Sequence, residues 1–408
     1  MNFYNEIHTP SRVDFELLRP SAVTHIPHTV ECGSRWRTYG SSSDWSSDVI
    51  KTAIGEHFER KHFYLDVPVH DTNTLDAGLT AEEHKAFIEA LSQTAMNGGG
   101  NLLKHHRFDR TNVYRISDFS RCLIPTVCIS ISPCRNPIDN QIYPMGDTCG
   151  CSAHVDIEAA VTGALKEALE RQFLLRFWLT KTCKAVIKQD KACAMLTDCP
   201  SLELFREFAK SGETIILDLT DERFPGSCIL FCYGNKHKKD AKVGFCAGMA
   251  YADTPGNALK KATVELWQTF RYMLSIDSSN SQENDIEDPY LKHFMSCNKY
   301  ETFVQISTQI TSNPSIINRS PIPFNCRNLI NTIRRLNLDG YLYLSHMPAA
   351  RSNLYFCKYI SPNLFLHMNN SFSFNTLNNY SRTFYKSIIP EQLTQMVPFP
   401  CPPKDHIP

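Results

Sequence analysis

The sequence predicts a mixed α/β fold, and three observations carry that reading. Helical and strand-like apolar patterns alternate along the 408 residues instead of segregating into separate halves. Three of the helical patterns begin at recognisable capping residues. Apolar residues make up 42% and charged residues 21%, the balance of a chain long enough to bury a sizeable core.

Residues 36–48 (WRTYGSSSDWSSD) are serine-rich and read as a loop. Beyond them Ile50, Ile54, Phe58 and then Leu65 mark the apolar side of a first helix, with Ser46 or Ser47 as its N-cap. Residues 81–96 predict a second helix, stopped by the asparagine–glycine run at 97–101. Between 111 and 132 apolar and polar residues alternate, with Ile124, Val127, Ile129 and Ile131 among the apolar ones, which predicts strands. The loop 144–154 leads into a long helix at about 156–178, with Asp156 as N-cap and Glu158 at the positive end of the helix dipole.

Residues 214–219 and 228–233 predict strands around a turn at 221–226, followed by a basic hairpin tip at 235–239. Thr254 and Pro255 supply the cap and first position of another long helix, reaching about Ser275. Residues 276–289 and 307–322 read as polar surface linkers, and 342–344 and 354–360 as late strands. The whole chain, 1–408, reads as one domain with a proline-rich tail at 390–408. In that tail Pro398, Pro400 and Pro402 fix an extended backbone.

Lysine plus arginine and aspartate plus glutamate each number 42, so no global charge argues for nucleic acid or a membrane surface. The N-terminus lacks the pattern of a signal peptide, and no run of about 18 apolar residues exists to span a bilayer. A cytoplasmic protein is expected. Its sixteen cysteines contain no C-x-x-C pair, so they are expected to be reduced and mostly buried as small apolar side chains. His105 and His106 sit in a basic run and are expected to be solvated. Walker, dinucleotide-binding, H-E-x-x-H and G-x-S-x-G patterns are all missing.

The chemistry concentrates in a repeated E-x-x-E-R spacing. Glu56, Glu59 and Arg60 form one copy, Glu167, Glu170 and Arg171 the other, and Glu265 with Gln268 is a weaker echo. On a helix, positions i, i+3 and i+4 share a face. Each copy therefore offers two carboxylates beside a guanidinium. Two such helices face to face would supply oxygen ligands for magnesium and, with it, for a nucleoside triphosphate. One copy alone reads more readily as a solvated i, i+4 ion pair, and the repetition is what brings in the metal reading. The loop 149–154 reads either as an ordinary strand-to-helix turn or as backbone N–H groups placed for phosphates.

These segments together resemble the YcaO family. Residues 148–171 are similar to that family's second signature, with Gly150, His154, Glu158, Ala160, Glu167, Glu170 and Arg171 in register. Residues 53–60 resemble its first signature, A-x-G-E-x-x-E-R, and 263–268 its later T-E-x-x-Q pattern. Stretches at 147–152, 293–301, 365–370 and 396–400 resemble the branch that makes thiazole/oxazole-modified microcins.

The resemblance implies a YcaO-type fold, with sheets packed by long helices and an ATP site between the two E-x-x-E helices. It implies an ATP-dependent cyclodehydratase that turns Cys, Ser or Thr of a ribosomal precursor peptide into thiazoline or oxazoline by phosphorylating the backbone amide oxygen. ATP and Mg2+ are the implied cofactors, with Glu56, Glu59, Glu167 and Glu170 on the metal. Ser152, Glu158, Glu265 and Gln268 are implied on the nucleotide, and Pro398, Pro400 and Pro402 in a tail role. No general base is assigned.

The implied partners are the precursor peptide, a leader-binding E1-like protein and an FMN-dependent azoline dehydrogenase, with neither nucleic acid nor membrane. Three departures from the family pattern stand out. Serines occupy 41–43 where a glycine- and lysine-rich loop is usual, Cys149 replaces an asparagine, and residues follow the proline motif. Two other readings share the same residues: a YcaO enzyme forming a thioamide or amidine, and a non-catalytic nucleotide-binding scaffold subunit.

Overall fold

The computed structural model describes residues 14–18, 26–33, 39–96, 101–103, 105–144, 146–236, 243–278, 289–312, 322–348, 353–367, 375–395 and 397–398. In chain order the first elements are β1 (Asp14–Leu18), β2 (His28–Gly33), β3 (Tyr39–Asp44) and α1 (Asp48–Lys61), then a π-helical turn at His62–Asp66. There follow β4 (Asp71–Thr74), α2 (Ala81–Thr94), β5 (Arg107–Arg115), β6 (Arg121–Pro125), α3 (Pro137–Ile142), β7 (Cys151–His154) and α4 (Ile157–Thr180). Next come β8 (Thr182–Cys183), β9 (Ala185–Val186), α5 (Gln189–Met195), α6 (Ser201–Ser211), β10 (Glu213–Asp218), β11 (Ser227–Gly234), β12 (Phe245–Ala252) and α7 (Pro255–Ser278). The last are α8 (Pro289–Ser296), α9 (Tyr300–Ser307), β13 (Thr311–Ser312), α10 (Cys326–Arg335), β14 (Tyr341–Pro348) and β15 (Asn353–Ile360). The chain is thus mixed α/β. No helix among the described residues is long and apolar enough to cross a membrane.

Two compact units divide the chain, one of residues 1–57, 181–322 and 398–408, the other of 58–180 and 323–397. The first unit holds an antiparallel sheet ordered β12-β11-β10-β9. β11 reads SCILFCYG and is buried along nearly its whole length, as a strand covered on both faces requires. The helix α7 packs its Ala258, Leu259, Ala262 and Leu266 into the same core as Phe205 and Phe231. Its predicted start is borne out: Thr254 Oγ1 accepts from the Asn257 N–H at 3.2 Å, and Pro255 opens the helix. A three-stranded sheet β1-β2-β3 belongs to this unit too.

The serine run at 41–43 is a correction to the sequence reading. It lies in β3, not a loop, and pairs with β2 in the register Val30↔Ser42. Serine composition suggests a turn, but here the hydroxyls are used across the sheet: Thr29 and Ser43 share a buried 2.7 Å bond. The buried seam of α1 also differs by one residue from the predicted side. Val49, Ala53 and His57 are buried, while Ile50 and Ile54 pack at the margin. The reason is Gly40, whose missing side chain lets β3 lie directly against the backbone of Ala53 and His57.

The second unit is built on the sheet β4-β5-β14-β15-β7, with β6 paired to β5. Its core gathers Phe63, Phe87, Phe108, Tyr341 and Phe356. The helix α4 is buried on all sides from Gln172 to Thr180 except at Arg176, which marks it as a central helix. The predicted helix at 81–96 is α2, closed by a capping box in which Thr80 and Glu83 satisfy each other's backbone N–H. His106 corrects another expectation. Its side chain is largely buried, and its Nε2 lies 2.5 Å from Oδ1 of the fully buried Asp139. A histidine in a polar run reads as solvated until the distant carboxylate that holds it is known.

The sequence reading did not distinguish β12, α5, α6 or α8–α10 as elements. Part of the expected stop at 97–101, Lys104, part of the tip at 235–239, most of the linkers 276–289 and 307–322, and Pro400 and Pro402 lie outside the described residues.

His62, beside α1, yields a pH prediction. Its ring stacks on Phe356 at 4.1 Å between centroids and meets the Tyr343 hydroxyl at 2.9 Å. Burial pushes its pKa from 6.5 down to about 4. The folded state therefore holds it neutral while the unfolded chain protonates. Stability is fully present above about pH 6.5 and is lost as pH falls toward 4. The loss is on the order of 3 kcal/mol from this group. Thermal melts across that range should show it in the native chain and a smaller loss in His62→Phe.

Candidate functional site

The second carboxylate helix starts where the sequence places it. Asp156 Oδ1 accepts the Ala159 N–H at 2.7 Å, capping α4. About three turns further on, Glu167, Glu170 and Arg171 lie in a largely apolar helix. Arg171 lies 3.8 Å from Glu167 Oε1 and 3.7 Å from Glu170 Oε1. These separations are long for hydrogen-bonded pairs, so the guanidinium serves both carboxylates and closes on neither.

Burial pushes the Glu167 carboxyl well above the usual range. The Arg171 charge opposes that shift, the negative charges of Glu59 and Glu170 add to it, and Arg60 opposes it again. Glu59, Glu167 and Glu170 are thus within electrostatic reach in one unit, with two guanidiniums that do not offset the burial of Glu167 and the repulsion on it. The solvated-face reading is wrong for this copy, since Glu170 is only 5% exposed.

Glu56 stands three residues before Glu59 on α1. Within the first unit its Oε2 accepts the Ser41 N–H at 2.8 Å, and Gln268 Nε2 donates to the Ser41 carbonyl at 3.4 Å. The strand of serines, the first carboxylate helix and the Gln268 position on α7 are therefore linked. Glu265 lies one turn earlier on α7 and is exposed.

The loop before α4 is shaped by Gly150. It has φ +73°, and a Cβ there would stand 2.7 Å from the Tyr359 carbonyl oxygen. Asp147 Oδ1 accepts from the Cys149 N–H at 3.0 Å, and Cys151 N–H donates to the Thr148 carbonyl at 2.9 Å. The Cys149 thiol is pushed well above its ordinary value by burial, then by Asp147 and Glu167, against Arg171 and Lys358. Ser152 is half-buried on β7, opposite Cys357 of β15. Glu158 is exposed on the first turn of α4. Pro398 is buried.

Sequence reasoning missed two side chains here. Gln172 accepts the Phe365 N–H at 2.9 Å and donates to the Phe365 carbonyl at 3.2 Å. Lys358 is 4% exposed in β15. A single lysine in a strand or glutamine in a helix has no periodic signal that could have revealed it.

Among the described residues no three His, Cys, Asp or Glu side chains form a closed ligand set for a metal ion. The donor chemistry nevertheless fits a hard divalent cation. The gathered groups are carboxylate oxygens that repel one another and raise Glu167, which a cation would relieve.

Comparison with known proteins is consistent in one direction. The family model described as YcaO cyclodehydratase, ATP- and Mg2+-binding, matches residues 51–365. The Microcin B17-processing protein McbD of Escherichia coli is 31% identical over 354 residues, covering 86% of this chain and 87% of that one. A chain of the E. coli microcin synthetase McbBCD complex superposes with a TM-score of 0.86 at 28% identity, over 97% of this chain and 99% of the other. The same complex with pro-MccB17 bound gives 0.85 at 29% identity, over 95% and 96%.

Proposed function

This chain belongs to the YcaO family of ATP- and Mg2+-binding cyclodehydratases, and from that premise we propose that it is the ring-forming subunit of a synthetase for an azole-modified microcin. The observation that carries the proposal is the gathering of Glu59, Glu167 and Glu170 with Arg60 and Arg171, which leaves Glu167 with a raised pKa. Glu56, on the same helix as Glu59, completes the proposed magnesium set. When bound, Mg2+ supplies charge neutralisation for the triphosphate during phosphoryl transfer.

The chain's own residues hold this arrangement in place. Ser41 fixes the Glu56 carboxylate through its backbone N–H. Arg171 spans Glu167 and Glu170 and keeps both on one face of α4. Gly150 turns the loop so that Ser152 follows directly on β7, where we place a nucleotide contact. Glu158, Gln268 and Glu265 are proposed further along the nucleotide, and Pro398, Pro400 and Pro402 as a tail reaching the site.

In the proposed reaction a thiol or hydroxyl of the precursor adds to the preceding amide carbonyl. The resulting oxygen takes the γ-phosphoryl group of ATP and leaves as phosphate. The peptide loses one water per ring and ATP becomes ADP. A precursor peptide, an E1-like leader-binding subunit and an FMN-dependent dehydrogenase are the proposed partners. The McbBCD complexes, one solved with pro-MccB17, support a peptide substrate and partner subunits. A cytoplasmic location is part of the proposal. The fifteen described cysteines are thiols rather than disulfides and would stay reduced there.

The test uses the full chain with an E1-like partner and a glycine-, serine- and cysteine-rich precursor peptide. With ATP and Mg2+, mass spectrometry should show stepwise loss of water and a matching loss of alkylatable cysteine. Water loss with every thiol still alkylatable would count against azoline formation at cysteine, and ATP turnover with no mass change would sink the assignment.

A further inference from the structure

Lys358 carries an inference beyond this reading. β15 pairs with β7 in the register Lys358↔Cys151, and a lysine in such a position would ordinarily reach solvent. Here it is 4% exposed. Its Nζ donates to the Asp147 carbonyl at 2.8 Å and to the Ile129 carbonyl at 3.1 Å. Burying an ammonium group is costly, and a valine or leucine would fill a strand interior without that cost. The two carbonyls it joins belong to separate segments, one just after β6 and one at the start of the loop before β7.

The same ammonium borders a small cavity with Cys128, Cys149, Ala168, Gln172 and Ser361. Ala168 lies within the Glu167–Arg171 segment of α4 and Gln172 directly follows it. Loop, strand and carboxylate helix therefore meet around this one cation. The Tyr359 N–H, next along β15, donates to the Gly150 carbonyl at 3.0 Å and continues the attachment.

We propose that Lys358 is a positioning residue for the reaction: its ammonium ties the loop 147–151 to the Ile129 segment and so sets where that loop and Ser152 stand beside the carboxylate face of α4. The inference rests on the proposed MgATP site. Lys358 touches no reacting atom and acts through backbone carbonyls. Charge and reach both matter, since two carbonyls must be drawn to one donor.

The test compares the full chain with Lys358→Met and Lys358→Arg, each in complex with the E1-like partner. In Lys358→Met, amide hydrogen exchange over 147–151 should quicken at least about tenfold, while β11 stays protected. KM for MgATP should rise about tenfold with a smaller change in kcat, a split that mere loss of folded protein does not produce. Lys358→Arg, which keeps the charge and can reach two acceptors, should restore both readings toward the native chain.

Unchanged exchange over 147–151 in Lys358→Met would overturn the proposal. So would faster exchange with native MgATP kinetics. A native chain that turns over no MgATP defeats the reading of the site itself, and hydrogen exchange still decides whether Lys358 holds the loop. If Lys358→Met does not fold, Lys358→Gln gives the same comparison, with one donor group and no charge.

Discussion

Glu170→Ala and Glu167→Ala are each expected to lower ATP-dependent ring formation by at least about 100-fold while leaving a folded chain, because each removes an anion from the set proposed to hold the metal against the triphosphate. The two should differ in what they do without ligand. Ionised Glu167 faces burial and the charges of Glu59 and Glu170, so its carboxyl is held above the usual range. Between the ordinary carboxylate value and that raised one, the folded chain keeps a proton that the unfolded chain has released. Stability from this group therefore falls as pH rises through the window, and Glu167 is a liability at neutral pH.

Glu167→Gln removes that liability. It should melt at a higher temperature than the native chain at neutral pH without Mg2+, and gain less from added Mg2+. Thermal melts with and without the ion, beside ATP hydrolysis, read both effects. A Glu170→Ala chain with native activity and a native Mg2+-induced rise in melting temperature would remove these carboxylates from the mechanism.

Gly40→Ala has the next largest effect. A methyl group there would overlap the backbone of Ala53 and His57, and backbone cannot swing aside as a side chain can. The expected cost is about 3 kcal/mol, at the upper end of overpacking changes. β3 would have to lift from α1, and the Ser41 N–H would leave Glu56. A reduced urea midpoint and a raised KM for MgATP should therefore appear together. Gly55→Ala on the same helix meets nothing within 4 Å and serves as the contrast. It should be neutral or stabilise by about 0.5–1 kcal/mol, because alanine favours a helix over glycine. Equal behaviour of the two variants would mean that the close approach at Gly40 does not matter.

Much of this protein was legible in local patterns. The cap at Asp156, the threonine–proline start of α7 and the strands at 213–218 and 227–234 rest on spacings of two or three to four residues, which the backbone itself imposes. The two E-x-x-E-R segments were visible for the same reason, and several ordered stretches were enough to indicate the family. Serines at 41–43 misled because composition reports turn preference, whereas pairing with β2 decided that they form a strand. The apolar seam of α1 shifted because contact with Gly40, not hydrophobicity alone, chose which side faces in.

By itself the sequence determined which residue types stand at i, i+3 and i+4, and hence that two helices each carry a pair of carboxylates beside an arginine. Only the tertiary structure decided that Glu59 lies near enough to Glu167 to raise it, and that Lys358 and the His106 side chain are buried. The physical reason is that charge environment and burial depend on groups distant in the chain. Desolvation and Coulomb energy follow separation in space, of which the order of residues holds no direct record.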